Sequence, residues 1–357
     1  MTIDEFEKLK HTLHPFHPET YDAVLRQWDM LAKPLDGLGD FERLIARIGG
    51  IQNRVNPAIK NRALLVFFSD NGIVEEGVSQ SDASVTHKVA EAMQRDRSTV
   101  CVMAKKAGVR VVPVDVGMKG DPVPGIESCR IREGTRNFLK EAAMTSEETL
   151  QAIEIGYHMA NQIQEQGTDL LLLGEMGIGN TSTATAIGCA LLGQDPSAAA
   201  GRGAGLPEDR MAHKSAVLKK ALLIHPYDQQ NPMEILSLFG GYDIAAMVGA
   251  ILYCAGHDFP VVIDGLITLS AVLAAEKLCP GSKKVCIASH NPREPMGRMI
   301  LSALGLSAPI DAGLALGEGT GTVLLMPLLD VCMALYNNGI RFEGLGIDAY
   351  QRYEADS

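Results

Sequence analysis

Residues 169–186 read DLLLLGEMGIGNTSTATA: an apolar run passes straight into closely spaced glycines and then into small and hydroxyl residues with a helical pattern. An unbroken leucine run of strand length suits a strand covered on both faces, as in a parallel sheet, better than a half-solvated antiparallel one. Glycines allow a tight turn at its end, and Asn180 or Thr181 can cap the helix that follows. Strand, glycine loop and helix form one half of a crossover unit, so this stretch favours an α/β fold.

Working outward, similar runs stand at 63–69 (ALLVFFS), 109–116 (VRVVPVDV), 260–263 (PVVI) and 285–289 (VCIAS). Segments 84–107, 146–166 and 243–255 have helical length and spacing. The alternation predicts a parallel, doubly wound, Rossmann-like sheet flanked by helices. The first sixty residues read as helical, interrupted at Pro34, Gly37 and Gly39, with Asp40 a candidate N-cap for the next stretch. A helical pattern returns at 322–337, where Pro327 should kink the helix or mark its first turn. The expected organisation is an α/β nucleotide-binding and catalytic domain over 61–308, with a small helical domain from 1–60 plus 309–357.

Composition narrows the function classes. The chain has 357 residues, 46% of them apolar, enough for a sizeable core. Its 36 glycines exceed the usual ~7%, yet follow no Gly-X-Y period, so they need local explanations. A net charge of −11 argues against sequence-independent nucleic-acid binding and anionic membranes, while a phosphate can still be held by backbone N–H groups. Seven cysteines without a C-x-x-C pattern read as buried thiols. The polar N-terminus does not resemble a secretory signal, and no run reaches ~18 apolar residues, so the expected location is the cytoplasm. His11, His14 and His17 are close in sequence, but Pro15 breaks their alignment and no partner has metal-site spacing.

Ligands of open α/β sheets bind at the carboxyl ends of the strands, so the residues there carry the functional argument. Asp70-Asn71-Gly72 after the first strand is either a tight turn or part of a site. The segment 174–182 is neither a Walker A loop nor Gly-x-Gly-x-x-Gly, and reads as a capped turn or a phosphate cradle. Glycines 201, 203 and 205, followed by Arg210 and Lys214, suit a phosphate or a mobile surface loop equally. Asp264-Gly265 and Ser289-His290-Asn291 could offer polar groups to a ribose or phosphate. The segment 316–321, LGEGTG, sets Glu318 among three glycines ahead of an apolar run. Glycines leave such a carboxylate open to a ligand, and partial desolvation raises its pKa toward general-base work. The rival reading makes Glu318 a first-turn acid on the following helix.

Together DNGIVEEGVS, GEMGIGNTSTATA, GRGAGL…HK, VVIDGLITLSAVLAA, the SH of SHNPREP, LGEGTG and KPLDGLGDFERL resemble, in chain order, the nicotinate-nucleotide–dimethylbenzimidazole phosphoribosyltransferases. That resemblance implies transfer of phosphoribose from nicotinate mononucleotide to an aromatic base such as 5,6-dimethylbenzimidazole, in building the lower-ligand nucleotide of cobalamin. It also implies a homodimer and no cofactor or metal, with pairing to a paralogue the other possible assembly. Glu318 falls on the catalytic glutamate. Glu175, Gly177, Asn180, Thr181, Gly203, Lys214, Asp264 and Ser289 fall to the nucleotide, with Lys214 near the phosphate, either in its own subunit or across the dimer. Asp70, Ser81, Val89 and Leu316 fall to the acceptor-base pocket. Two departures stand out: Asn71 replaces a His, and Val89 replaces a glutamine, which would favour a smaller or less polar acceptor. Phenol, p-cresol and adenine are the rival acceptors, and a low-activity paralogue serving as partner subunit or nucleotide-binding module is the rival class.

Overall fold

The computed structural model describes residues 16–203 and 205–352, together with Lys8 and Leu13. Six strands run parallel: β1 (Arg62–Ser69), β2 (Val109–Gly117), β3 (Glu127–Ser128), β4 (Leu170–Met176), β5 (Val261–Ile263) and β6 (Cys286–Ala288), in the order β3-β2-β1-β4-β5-β6. This is the order of the dinucleotide-binding doubly wound sheet, whose connections reverse direction between the first and fourth strands. All eight residues of β1 are buried, as a strand covered on both faces requires. The predicted strands are present; β3 is additional, and its two exposed polar residues carry no apolar signal.

Helices of eight or more residues are α1 (Pro18–Asp29), α2 (Asp40–Gln52), α3 (Ser84–Gln94), α4 (Thr99–Lys106), α5 (Ser146–Glu165), α6 (Asn180–Leu192), α7 (Glu208–Ile224), α8 (Pro232–Phe239), α9 (Tyr242–Ala255), α10 (Leu266–Leu278), α11 (Pro295–Leu304) and α12 (Thr320–Asn338). The single helical pattern over 84–107 is in fact two helices. Asp96 adopts a left-handed φ of 55°, which no α-helix continues through, and Ser98 caps the new helix by accepting from Cys101 N. Gly39, not Asp40, occupies the N-cap of α2; Asp40 is already helical and its carboxylate pairs with Arg43 at 2.9 Å. Pro327 lies inside α12 rather than in its first turn.

The two ends of the described chain meet. Trp28 on α1 packs its ring 5.0 Å from that of Tyr336 on α12, Leu31 bridges Arg341, and Arg352 pairs with Asp29 and Asp36. The length and apolar composition of α12 would allow it to cross a membrane. Here its inner face, including Val323, Leu325, Met326 and Leu329, is buried, and the helix packs on α2, α4 and β4. The buried Arg62 of β1 reaches outward to Asp330 on the same helix. Six of the seven cysteines are buried and no disulfide joins them. His11 and His14 lie outside the described residues, and among those described no group of three His, Cys, Asp or Glu could hold a metal.

Candidate active site

Four neighbouring strands deliver their carboxyl ends to one place. β1 leads into Asp70-Asn71, β4 ends at Glu175-Met176, β5 leads into Asp264, and β6 into Ser289-His290. Above these ends, at the reversal between β1 and β4, lies a cleft of about 270 Å³. Ser81, Glu175, Gly177, Asn180, Thr181, Gly203, Asp264, Leu316 and Glu318 all line it.

Glu318 enters the cleft on a strained loop. Gly317, Glu318 and Gly319 adopt φ of 86°, 56° and 80°, three successive left-handed residues of which only the glycines do so at low cost. Gly174 on β4 lets that loop lie against the strand: a Cβ there would stand 2.8 Å from the Glu318 carbonyl carbon. Asp264 then ties the loop down, accepting from Gly319 N at 3.2 Å and Gly321 N at 2.8 Å. Its side chain thus serves the glutamate loop as well as lining the cleft. One oxygen of Glu318 accepts from Val100 N at 3.3 Å, in the first turn of α4. Burial raises the Glu318 pKa, while Val100 N–H and the Ser98 hydroxyl act in the opposite direction.

Beneath the cleft lies a layer of carboxyl groups. Glu175 accepts from Asn180 Nδ2, whose amide also donates to Asp243 at 3.1 Å. Burial, reinforced by the charge of Asp243, pushes Glu175 up to about 8, and burial raises Asp264 to about 7 and Asp243 to about 6. Burial also lowers His290 to about 4, so it is neutral at ordinary pH; its Nδ1 lies 2.9 Å from Ser289 Oγ. Asp243 follows Gly240-Gly241 and was not legible as a site residue, because an acid in the first turn of an apolar helix reads as a cap.

At the far end of the cleft, Lys214 is buried and donates to Thr181 Oγ1 at 3.1 Å and to the Gly201 carbonyl at 2.9 Å. Burial lowers its pKa to about 8. Glu294, also on the cleft wall, accepts from Gly203 N at 3.1 Å. A cationic Lys214 and the Thr181 hydroxyl together form a region of the cleft suited to a phosphate.

Four expected residues do not line the cleft. Lys214 is one hydrogen bond behind Thr181, and Ser289 stands behind His290. Asp70 turns toward the end of β2, where its carboxylate accepts from Lys119 N at 2.7 Å. Val89 packs against the core one helical turn beyond Val85, and Val85 is the residue of α3 that faces the cleft. Val89 itself therefore makes no direct contact with the cleft. Ser98 and Val100 were missed too, since nothing in their local pattern connects them with residue 318.

A parallel sheet with a cleft at its switch point, lined by a buried carboxyl group on a glycine loop, is the arrangement of an α/β enzyme that binds its small-molecule ligand at the strand ends. The comparisons make this specific. A family model described as phosphoribosyltransferase matches residues 13–347. The nicotinate-nucleotide–dimethylbenzimidazole phosphoribosyltransferase of Ruminiclostridium cellulolyticum is 35% identical over 350 residues, covering 98% of this chain and 99% of that protein. The enzyme of the same name from Desulforamulus reducens is 37% identical over 329 residues, 91% and 94% of the two chains. The crystal structure of CobT from Thermus thermophilus superposes with a TM-score of 0.87 at 35% identity, over 93% of this chain and all of that one. The chain belongs to this phosphoribosyltransferase family and is a pentosyltransferase of the CobT type.

Proposed function

We propose that the protein transfers phosphoribose from nicotinate mononucleotide to 5,6-dimethylbenzimidazole or a related base, giving α-ribazole 5′-phosphate and nicotinate. The observation that carries this is Glu318, presented by a left-handed loop at the edge of the switch-point cleft, with its Oε2 accepting from Val100 N. In this reading the nucleotide phosphate binds by Lys214, Thr181 and Gly203, its ribose by Glu175, Gly177 and Asn180, and Ser289 supports that end through His290. The acceptor ring lies toward Ser81, Val85 and Leu316. Its ring nitrogen attacks C1′ from the face opposite nicotinate while Glu318 takes the N–H proton. The C1′–nicotinate bond breaks, its electron pair neutralises the pyridinium, and the configuration inverts.

The buried carboxyls suit this reaction. Cationic character develops at the ribose as the glycosidic bond weakens, and the fixed carboxyl dipoles beneath the cleft favour it, most strongly from a group that is ionised near neutrality, such as Asp243. Glu318 itself needs a raised pKa to accept a proton near neutrality. We infer a homodimer as the working form, supported by the apolar outer face of α12 next to the cleft. A small helical unit from 1–60 and 309–357 would then carry Glu318 onto an α/β unit over 61–308. A cytoplasmic location accords with seven cysteines that form no disulfide.

Incubation of purified protein with nicotinate mononucleotide and, separately, dimethylbenzimidazole, adenine, phenol and p-cresol tests the proposal, with the ribotide identified by mass. Dimethylbenzimidazole should give the fastest nicotinate release, and Glu318→Gln should lose turnover while still binding nucleotide. No nicotinate release with any acceptor overturns the reading; full turnover by Glu318→Gln removes the base from its role.

A further inference from the structure

The glycine loop that follows the short helix Pro196–Ala199 runs between two cavities. On one side is the cleft, lined by Thr181, Gly203 and Glu294; on the other is a second cavity of about 810 Å³, lined by Gly201, Arg202 and again Glu294. With open space on either side, packing alone does little to hold the loop, and two buried side chains grip it. Lys214 on α7 donates to the Gly201 carbonyl at 2.9 Å, and Glu294 Oε1 accepts from Gly203 N at 3.1 Å. Glu294 stands at the N-cap of α11, yet its side chain makes no capping hydrogen bond there and reaches across to the loop instead.

The fit is close. A Cβ at Gly201 would stand 1.7 Å from Glu294 Oε2, and one at Gly203 would stand 2.8 Å from Thr181 Oγ1, so the glycines let the loop pass between carboxyl and hydroxyl. Thr181 Oγ1 in turn accepts from Lys214 at 3.1 Å. Glu294 Oε2 is buried and has no hydrogen-bond partner among the described residues. A buried carboxyl group with one oxygen unpaired adds little to stability, so the fold alone is a poor account of it.

We propose that Glu294 is a positioning residue for the donor nucleotide: its grip on Gly203 holds the loop against Thr181 and keeps Lys214 and Thr181 in place to meet the phosphate. This rests on the reading that the Lys214–Thr181 end of the cleft takes that phosphate. Without the Glu294 tether the loop is free to shift toward the second cavity, carrying the Gly201 carbonyl away from Lys214. Glu318 has tethers of its own in Asp264 and the Val100 N–H, so nucleotide binding should change and the chemical step should not.

Equilibrium dialysis with nicotinate mononucleotide, alongside kcat for transfer to dimethylbenzimidazole, tests this. Glu294→Ala should bind the nucleotide about ten-fold more weakly, the effect of one lost hydrogen bond to a charged group, with kcat within about two-fold of the parent. Glu294→Gln keeps an acceptor for Gly203 N and should restore binding to within about two-fold of the parent. Gly201→Ala, whose Cβ would drive the carboxyl off the loop, should weaken binding as much as Glu294→Ala, and the two changes together should weaken it no further. Parent-like binding by Glu294→Ala overturns the proposal, as does a Glu294→Gln variant as weak as Glu294→Ala. If Glu294→Ala does not fold, Gly201→Ala decides: parent-like binding there overturns the proposal. Lys214→Met tests the underlying reading separately, since nucleotide binding as tight as the parent's would put the phosphate elsewhere, whatever Glu294 does.

Discussion

Glu175 and Asp264 are the residues whose chemistry costs the fold most. Their ordinary values are 4.5 and 3.8, and burial holds them at about 8 and about 7. Folding therefore takes up protons between the lower and the upper values, so their contribution to stability is complete below about pH 4 and is lost as pH rises through about 8. The ligand-free protein should melt at a lower temperature near about pH 9 than near about pH 6. Glu175→Gln removes a buried charge at the higher pH while keeping a hydrogen-bonding side chain of the same size. Its melting temperature at about pH 9 should exceed the parent's by about 2–4 °C, with weakened nucleotide binding. Calorimetry at both pH values checks this, and a variant less stable than its parent at the alkaline value contradicts it. At this scale the sequence was informative where chemistry and backbone coincide. Glu318 could be singled out because three glycines flank one carboxylate in the sequence, a pattern that local periodicity does not explain. Ser98, Asp243 and Glu294 could not, because each reaches the site from another element and its local pattern says only cap or first turn.

Among the elements, the strand runs could be read because each is apolar on both faces, and β3 could not because it is two exposed polar residues on an edge. The 84–107 helix was misjudged for a specific reason. Apolar spacing continues through the break, and the left-handed Asp96 that ends α3 is not a glycine or proline that would announce it. The glycine loops were legible as loops, but their geometry is a property of contacts. Gly319 adopts a φ of 80°, and a Cβ there would stand 2.6 Å from Leu64 Cδ1 and 3.3 Å from the Leu173 carbonyl oxygen. Both lie on strands of the sheet, so the loop cannot move inward to make room. Gly319→Ala should push the Glu318 loop off β4 and break the Asp264–Gly319 contact. Displacing a base by about 1 Å costs on the order of 10²-fold in rate, so kcat should fall by about that factor. Circular dichroism should stay parent-like, since α12 begins after the affected residue. Wild-type turnover would show that the loop position is not what orients the base.

Across the whole molecule, the alternation of strands and helices was enough to imply the sheet, and the helical patterns at both chain ends suggested that they join, without showing through which residues. Contacts such as Trp28–Tyr336 join residues more than half the chain apart and leave no periodic trace. The same distance separates the outer face of α12 from any local signal of its purpose. Leu324, Leu328, Val331 and Leu335 recur at intervals of four, three and four residues, so they lie along one helical stripe, and all are exposed, Val331 at 71%. An exposed seam of this kind is costly in a monomer, because it leaves apolar side chains in water that a second copy would remove. α12 also begins two residues after Glu318, and Leu316 on the cleft wall is itself 55% exposed. If two copies pair across this seam, the mouth of the cleft lies beside the interface, and assembly and turnover are coupled. Val331→Lys places a charge at the most exposed position of the stripe without touching the buried face of the helix. Sedimentation should show a dimeric parent and a monomeric variant, with a raised KM for the acceptor base and an unchanged melting profile for the sheet core. A variant that still sediments as a dimer places the subunit contact elsewhere and leaves the stripe without a role in assembly.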